Sequence, residues 1–110
     1  MNGHRGRVDE AYVEAVLTAV EQIPPGRVAS YGDIAEQVGS GGPRQVGRVM
    51  SLYGSAVPWW RVVRADGRPA AGHEEQALAR LQAEAAPLRG DRVDMRQGRD
   101  RSPWPDGEHI

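Results

Sequence analysis

The chain has 110 residues, of which 39% are hydrophobic, and a formal net charge of −1, so it can build one modest core in a single domain. It contains no cysteine, which excludes disulfides, thiolate metal ligands and any mechanism that uses a protein thiol. Its three histidines are scattered, so neither a metal nor a cofactor is expected. The lack of a long apolar run and of a secretory signal predicts a cytoplasmic protein without membrane contact.

Positive charge is concentrated in the middle of the sequence. All 14 basic residues are arginine, and residues 27–68 hold six of them against three acidic residues, whereas the segments on either side each sum to −2. A local basic segment within a near-neutral chain is typical of a nucleic-acid-binding face of limited size.

The first predicted element is an amphipathic helix that begins after Asp9, a good N-cap, and runs to about residue 23. Two prolines and a glycine at 24–26 end it. Its apolar residues recur at helical spacing and form one stripe, which consists of Tyr12, Val13, Val16, Leu17, Val20 and Ile23. We expect this helix to be scaffold, because its sequence holds no chemical motif.

Two short helices are predicted next. Ser30 and Asp33 have the spacing of a capping box, which predicts a helix over 31–38 with Gly39 just beyond its end. A third helix is predicted over 43–53, since proline suits its first position and a glycine follows its last. Two short helices joined by a glycine-rich turn, the second rich in arginine, are typical of a helix-turn-helix.

The third helix has two different faces. Its inward face is predicted to hold Val46, Val49, Met50 and Tyr53, whereas another side presents Arg44, Gly47, Arg48 and Ser51 at spacings of three and four. A glycine in mid-helix costs about 1 kcal/mol relative to alanine, so Gly47 needs a reason. Either it lets the backbone approach the wall of a groove, or it relieves crowding against a neighbouring helix.

The most unusual stretch is Val57-Pro58-Trp59-Trp60-Arg61-Val62-Val63, near the end of a run without acidic residues that holds four arginines. Its composition predicts a rigid turn that leads into a short strand over 61–64. Aromatic rings interleaved with arginines are typical of proteins that stack on bases while they neutralise phosphates. The alternative is that both indoles pack in the core or in an interface.

The remainder of the chain is predicted to complete the domain, which spans residues 8–95. A turn over 65–68 and a loop precede a fourth helix from Glu74 to about Ala86, and 92–95 is a candidate edge strand. The inward face of the fourth helix is predicted to hold Ala77, Leu78, Leu81 and Ala85. Residues 1–7 and 96–110, the latter with Trp104, are predicted to be flexible tails.

Three segments, IPPGRVASYGDIA, PRQVGRVM and VPWWRVV, resemble the DNA-binding half of the O6-alkylguanine-DNA alkyltransferases. They occur in the order of that family and near its spacing, and the resemblance covers roughly residues 9–86. It implies a mainly α fold with a few short strands, organised as a winged-helix-like helix-turn-helix domain.

In that family a Pro-Cys-His-Arg-Val loop carries the cysteine that accepts the alkyl group. Here Trp59 stands at the cysteine position and Trp60 at the histidine position. An indole cannot accept an alkyl group by the thiolate route. The chain therefore resembles the cysteine-less, alkyltransferase-like branch, which binds alkylated guanine without repairing it, and we do not expect it to be an enzyme.

The resemblance implies two sets of site residues. The DNA-binding set comprises Ser30, Tyr31, Arg44, Gln45, Gly47, Arg48 and Ser51. The lesion-pocket set comprises Tyr31, Met50, Pro58, Trp59, Trp60, Arg61 and Val62, with the 64–72 loop as a further wall. Arg44 resembles the arginine that enters the duplex from the minor groove and fills the space left by the flipped nucleotide. Tyr31 resembles the tyrosine that crowds the 3′ phosphate, and Arg61 resembles a structural arginine behind the loop.

The function implied by the resemblance is recognition of O6-alkylguanine in duplex DNA by base flipping, by a monomer that marks the lesion for nucleotide excision repair through its damage-recognition proteins. One alternative is a helix-turn-helix transcription factor that reads undamaged DNA, although one recognition helix without a dimerisation heptad argues against it. Another is an enzyme that acts on a flipped base, such as a glycosylase. That reaction needs a placed carboxylate, and Asp66 is the nearby acid.

Overall fold

The computed structural model describes residues 9–100. The helices in this range are α1 (Glu10–Glu21), α2 (Tyr31–Val38), α3 (Pro43–Tyr53), α4 (Glu74–Ala83) and α5 (Met95–Gly98). The strands are β1 (Ala29–Ser30), β2 (Val62–Val63), β3 (Leu88–Arg89) and β4 (Arg92–Val93). Two 3₁₀ turns, Gly54–Ala56 and Trp59–Arg61, lie between α3 and β2. This confirms the predicted mainly α fold with a few short strands. Between residues 9 and 100, no helix combines the length and the apolar character needed to cross a bilayer.

The ends of the first two helices follow from local side-chain chemistry. The Asp9 carboxylate accepts the Ala11 N–H at 3.1 Å, which satisfies one of the free donors at the start of α1. At the start of α2, Ser30 Oγ accepts the Asp33 N–H and Asp33 Oδ2 accepts the Ser30 N–H, both at 3.0 Å. Gly39 ends α2 with φ of +90°, a conformation that glycine adopts without steric cost. These caps confirm the sequence predictions.

The core is formed where α1, α2 and α3 pack together. Its fully buried side chains are largely β-branched and include Val16, Val20, Ile34, Val46 and Val49, each with 0% exposure. A second, smaller cluster joins Val28 and Val63 to Leu81 and Val93, and so packs the C-terminal half against the strands. The helix-turn-helix is therefore held on a rigid base, with one side of α3 left exposed.

Strand pairing brings the start of α2 next to the tryptophan stretch. Strands β1 and β2 are parallel, with Ala29 opposite Val62 and Ser30 opposite Val63. The connection between them contains α2 and α3, as a crossover between parallel strands requires. As a result, residues near 31 and near 59 share one side of the molecule although 28 positions separate them.

Two side chains predicted to face inward are exposed instead. Tyr53, at the last position of α3, is 47% exposed, since the helix ends there and the chain turns away. Ala85 is exposed and has φ of +63°, because α4 ends at Ala83 and not near Ala86. The Ala86 N–H donates to the Leu81 carbonyl and the Ala85 N–H to the Gln82 carbonyl, both at 3.0 Å, which is a Schellman helix ending.

The predicted flexible tail from residue 96 is wrong for residues 96–100. Residues 95–98 form the short helix α5, and the backbone of Val28 exchanges hydrogen bonds with Gly98 and Asp100 at 2.9 and 2.7 Å. The guanidinium of Arg99 also binds the carboxylate of Asp33. Local composition could not show this, because the partners of the segment, Val28 and Asp33, are at least 66 positions away in the sequence. Residues 1–8 and 101–110, including Trp104, lie outside the described residues.

Candidate nucleic-acid interface

The outward side of α3 presents the predicted basic face. Arg44, Gln45, Arg48 and Ser51 are exposed. Among residues 9–100, neither Arg44 nor Arg48 takes part in an ion pair, so both guanidinium groups are available to phosphates. The side-chain oxygen of Gln45 already has a partner, since Oε1 accepts the Gly42 N–H at 3.0 Å and so caps α3.

Gly47 lies on this face without a packing reason. A Cβ atom added there would lie in open space, with no neighbouring group of the described chain within 4 Å. Crowding against another helix, one of the two explanations raised by the sequence, is therefore excluded for residues 9–100. The absence of a side chain instead lowers the helix surface between Arg44, Arg48 and Ser51, which is the shape that a close external partner needs.

Ser30 and Tyr31, both predicted to contact DNA, have different environments. Ser30 is only 8% exposed and its hydroxyl caps α2, so its side chain is not free to contact a duplex in this structure. Tyr31 is half-buried at the first position of α2 and lines a cavity. Burial raises the pKa of the Tyr31 hydroxyl, and the positive charge of Arg64 opposes that shift in part. Tyr31 therefore stays a neutral hydrogen-bonding phenol at physiological pH.

A cavity of about 550 Å³ opens beside the α3 face. This volume is in the range of small-molecule sites. The predicted residues that line it are Tyr31, Gly47, Met50, Ser51 and Trp59. The other lining residues are Leu52, Gly54, Ser55, Ala70, Ala71, His73 and Gln76. Ala70 and Ala71 belong to the loop that was predicted as a further wall. His73 and Gln76 were missed, because neither the residue before α4 nor the helix itself carries a sequence motif that would connect it with the tryptophans.

Four predicted pocket residues do not line this cavity: Pro58, Trp60, Arg61 and Val62. Val62 is 1% exposed in β2 and belongs to the core. Residues 59–61 form a 3₁₀ turn, in which successive side chains point about 120° apart. Trp59 lines the cavity, whereas Trp60 and Arg61 lie outside its lining and contact Glu84 at the end of α4. The sequence predicted a rigid turn followed by a strand over 61–64; the strand is shorter, Val62–Val63, and Arg61 belongs to the turn.

Trp60 and Arg61 converge on Glu84, just after α4. Arg61 donates through Nε to Glu84 Oε1 at 3.0 Å and through Nη2 to Oε2 at 2.6 Å, and Trp60 Nε1 donates to Oε2 at 3.0 Å. The Gly26 N–H adds a fourth bond to Oε1 at 3.1 Å. Burial raises the pKa of Glu84, but the bonds from Arg61, Gly26 and Trp60 outweigh it and hold the pKa below its ordinary value.

This Glu84 cluster holds the 3₁₀ turn from behind. Arg61 Nη1 also donates to the Ile23 carbonyl at 3.0 Å, which connects the turn to the segment after α1. The guanidinium of Arg80 lies 4.5 Å from the Trp60 ring centre, and that of Arg61 lies 5.3 Å from it, so cations flank the indole. Arg61 is thus a structural residue, as the resemblance implied. Glu84 was not predicted, and no local pattern marks it.

The indole of Trp59 is half-buried and is braced by two other rings. It contacts Trp60 edge-to-face, with ring centres 5.8 Å apart and planes at 87°, and His73 at 5.7 Å and 61°. Such pairs add roughly 0.5–1.5 kcal/mol beyond buried area. Because Trp60 is itself fixed by Glu84, the orientation of Trp59 in the cavity wall is defined before any ligand enters.

In the described range, no cluster of three or more histidine or carboxylate side chains could hold a metal.

A family model for the 6-O-methylguanine DNA methyltransferase DNA-binding domain matches residues 11–86. The chain belongs to this family. The assignment confirms the resemblance seen in the three sequence segments, and it covers the helix-turn-helix, the 3₁₀ turns and α4.

Two relatives and one solved structure agree with this assignment. Alkyltransferase-like protein 1 of Schizosaccharomyces pombe is 38% identical over 89 residues, which is 74% of this chain and 82% of the relative. A DNA base-flipping protein of Vibrio parahaemolyticus is 34% identical over 62 residues, 54% of this chain, and the match spans 62% of that relative. The crystal structure of S. pombe Atl1 in complex with damaged DNA containing O6-carboxymethylguanine superposes with a TM-score of 0.75 at 26% identity. The superposition covers 86% of this chain and 98% of the Atl1 chain.

Proposed function

We propose that this protein binds O6-alkylguanine in duplex DNA from the minor groove, flips the base into the Trp59 cavity and leaves the alkyl group in place. The observation that carries the proposal is the position of Trp59. Its indole forms a wall of a base-sized cavity beside an exposed arginine face, in a chain that contains no cysteine. The relatives include a DNA base-flipping protein and a protein crystallised with damaged DNA, which supports the same function.

Base flipping needs compensation for lost stacking and pairing, a cost of a few kcal/mol that is smaller for a damaged base. Arg44 lies exposed at the start of α3, where its guanidinium can enter the duplex and occupy the vacated space. Stacking of the flipped base on an aromatic ring contributes about 1–3 kcal/mol. Trp59 offers such a ring, and Tyr31 lines the same cavity.

Dealkylation is not expected. Transfer of the alkyl carbon requires a thiolate nucleophile, and the 110 residues include no cysteine at position 59 or elsewhere. The residue behind position 59 is also unsuited to proton transfer, since the Trp60 indole donates its N–H to Glu84 and has no basic nitrogen. The protein is thus proposed to be a lesion reader and not an enzyme.

Retention of the alkyl group means that another system must remove the lesion. We propose that the complex is handed to nucleotide excision repair through its damage-recognition proteins, and that the protein acts as a monomer in the cytoplasm. A flipped nucleotide fixed in a protein cavity presents a distorted, stable structure that such proteins can recognise.

The test is a titration against matched duplexes that contain guanine or O6-methylguanine, at stated salt because phosphate contacts are salt-dependent. Tighter binding to the lesion, with the methyl group retained after incubation, is the expected result. Equal binding to both duplexes would instead favour a helix-turn-helix transcription factor. Loss of the methyl group would contradict the proposed absence of catalysis.

A matched pair of arginine variants tests the site itself. Arg44→Ala should weaken lesion binding at least tenfold, because it removes the group proposed to fill the duplex. Arg89→Ala removes the same charge from exposed strand β3, outside the α3 face, and should change binding by less than about threefold. Equal losses in both variants would show that only bulk charge matters.

A further inference from the structure

Among residues 9–100, the lining of the cavity contains one side chain that can carry a positive charge. Its members are aromatic, apolar, hydroxyl or amide residues apart from His73, and no arginine or carboxylate is among them. The imidazole of His73 lies against the Trp59 indole, with the ring centres 5.7 Å apart. Histidine is the side chain whose charge ordinarily changes between pH 5 and 8.

The position of His73 is defined by the loop and helix around it. Its carbonyl accepts the Ala77 N–H at 3.0 Å, and its N–H donates to the Ala70 carbonyl at 3.2 Å, so the backbone is fixed on both sides. Its side chain does not cap α4, and His73 is an exposed residue that lines the cavity. An imidazole held in this way can meet a ligand without competing for an internal bond.

The charged groups near His73 come from two directions. Glu74 follows it in the chain, and its carboxylate accepts the Gly72 N–H at 3.1 Å outside the cavity lining. Arg64 approaches from the segment after β2 and is close enough to affect both Tyr31 and Glu74. Tyr31 faces the cavity as a neutral phenol. Neither Glu74 nor Arg64 lines the cavity, so a charged ligand group there would meet His73 first.

We propose that His73 determines which O6 substituents are preferred, and that in its protonated form it favours substituents that carry a carboxylate, such as carboxymethyl. The inference rests on the proposed function. Trp59 occupies the place of the alkyl-accepting residue, so a substituent on O6 of the flipped base is directed toward it. Of the described residues that line the cavity, His73 is then the one that can offer a positive charge to the end of that substituent. The attraction is strongest when the imidazole is charged and fades as the pH rises.

The experiment compares duplexes that contain O6-carboxymethylguanine or O6-isobutylguanine, two adducts of similar size and shape that differ in charge. The measured quantity is the ratio of the two Kd values, at pH 5.5 and 7.5 and constant ionic strength. For the unmodified protein, the preference for carboxymethyl should rise by roughly threefold to tenfold at the lower pH, as expected of an ion pair in a partly open site. The ratio removes effects of pH on phosphate contacts, which both duplexes share.

Two variants assign the effect to His73. His73→Gln keeps a polar side chain that cannot be charged, so its ratio should be low and independent of pH. His73→Arg carries a permanent charge, so its ratio should be high at both pH values. Two results would overturn the role of His73: a ratio that still depends on pH in His73→Gln, or a ratio that does not change with pH in the unmodified protein. Neither result would contradict lesion binding itself. Failure of both adducts to bind more tightly than guanine would overturn the proposed function as well.

Discussion

Asp33 and Arg99 are joined across 66 positions of sequence, with Arg99 Nε donating to Asp33 Oδ2 at 2.8 Å and Arg99 Nη2 bound to Oδ1. The Asp33 side chain is only 6% exposed, and it also accepts the Ser30 N–H that begins α2. One carboxylate therefore caps the N-terminus of α2, which carries Tyr31, and binds the C-terminal segment to this helix. The orientation of α2 at the cavity depends in part on a residue that local composition assigned to a tail.

The Asp33 contacts predict a pH-dependent contribution to stability. Burial raises the pKa of Asp33, but the bonds from Arg99 and Ser30 and the charge of Arg99 outweigh it, and the net pKa is lowered. A lowered pKa in the folded state stabilises the protein above the unfolded value, near 4, and this contribution is lost as the pH falls through the folded pKa. Asp33→Asn should thus be less stable than the unmodified protein at pH 7, by about 1–3 kcal/mol.

The difference between these two proteins should shrink as the pH is lowered from 7 toward 2.5, since Asp33 becomes protonated and neutral like asparagine. Urea unfolding followed by far-UV circular dichroism at several pH values gives the required free energies. Asp91→Asn is the matched control, because that carboxylate is exposed. A difference that stays constant over this pH range would contradict the assigned role of the Asp33 charge.

Glu84→Gln should destabilise the fold and loosen the cavity wall. Arg61, 13% exposed, would lose its paired charge. The glutamine side chain has one acceptor oxygen where glutamate has two, so Trp60 would lose its acceptor or compete with Arg61 for the remaining oxygen. Loss of one partner of a largely buried pair leaves the other unpaired, so we expect a cost of about 1–3 kcal/mol in the free energy of unfolding. Denaturant titration measures it, and tryptophan fluorescence, compared in a Trp104→Phe background, reports the environment of Trp59 and Trp60. Glu75→Gln, on the exposed side of α4, should leave both unchanged.

Gly47→Ala should separate stability from binding. The added methyl group meets no neighbour within 4 Å and raises helix propensity, so the free energy of unfolding should increase by about 0.5–1 kcal/mol. The same methyl group should weaken lesion binding several-fold by holding α3 away from the groove. Unchanged affinity for the O6-methylguanine duplex would show that α3 does not approach DNA closely at this position.

Gly54→Ala provides the contrast for that variant. A Cβ atom there would come within 2.9 Å of Met50 Cε, so the side chain of Met50 would have to move. Because Cε is the mobile end of that side chain, the movement should cost little, and we expect a smaller gain in stability than for Gly47→Ala, in the same assay. A gain in stability like that of Gly47→Ala would mean that Met50 adjusts freely in the cavity wall.

Ala85→Gly should stabilise the protein. Ala85 occupies the left-handed position of a Schellman ending, with φ of +63°. This conformation costs an L-residue roughly 1 kcal/mol relative to glycine. The gain from glycine is partly offset, because glycine has more conformational freedom to lose when the chain folds. We expect a net gain of about 0.5 kcal/mol and a higher Tm by calorimetry. Ala79→Gly, in the exposed interior of α4, should have the opposite sign. Destabilisation by both substitutions would contradict the Schellman assignment.

The helix starts and ends could be predicted because their interactions are local. The Ser30–Asp33 capping box, Gly39 and the proline at the start of α3 all act within about four residues, so their chemistry can be recognised in the chain itself. The exposed basic side of α3 and the place of Trp59 in a cavity wall were predictable for a related reason. Helical spacing and the order of three motifs are both properties of the linear sequence.

The residues that surround Trp59 depend on contacts between distant segments. Glu84 reaches Trp60 from 24 positions away, His73 reaches Trp59 through the loop before α4, and Arg99 reaches Asp33 from the far end of the domain. None of these pairs leaves a periodic or local signal, because each forms only after the core of α1, α2 and α3 has brought its partners together. The 3₁₀ turn acts in the same way, since it turns Trp60 and Arg61 from the cavity to Glu84. The amino-acid order thus specified the first four helices and the family, whereas packing selected which side chains face the cavity.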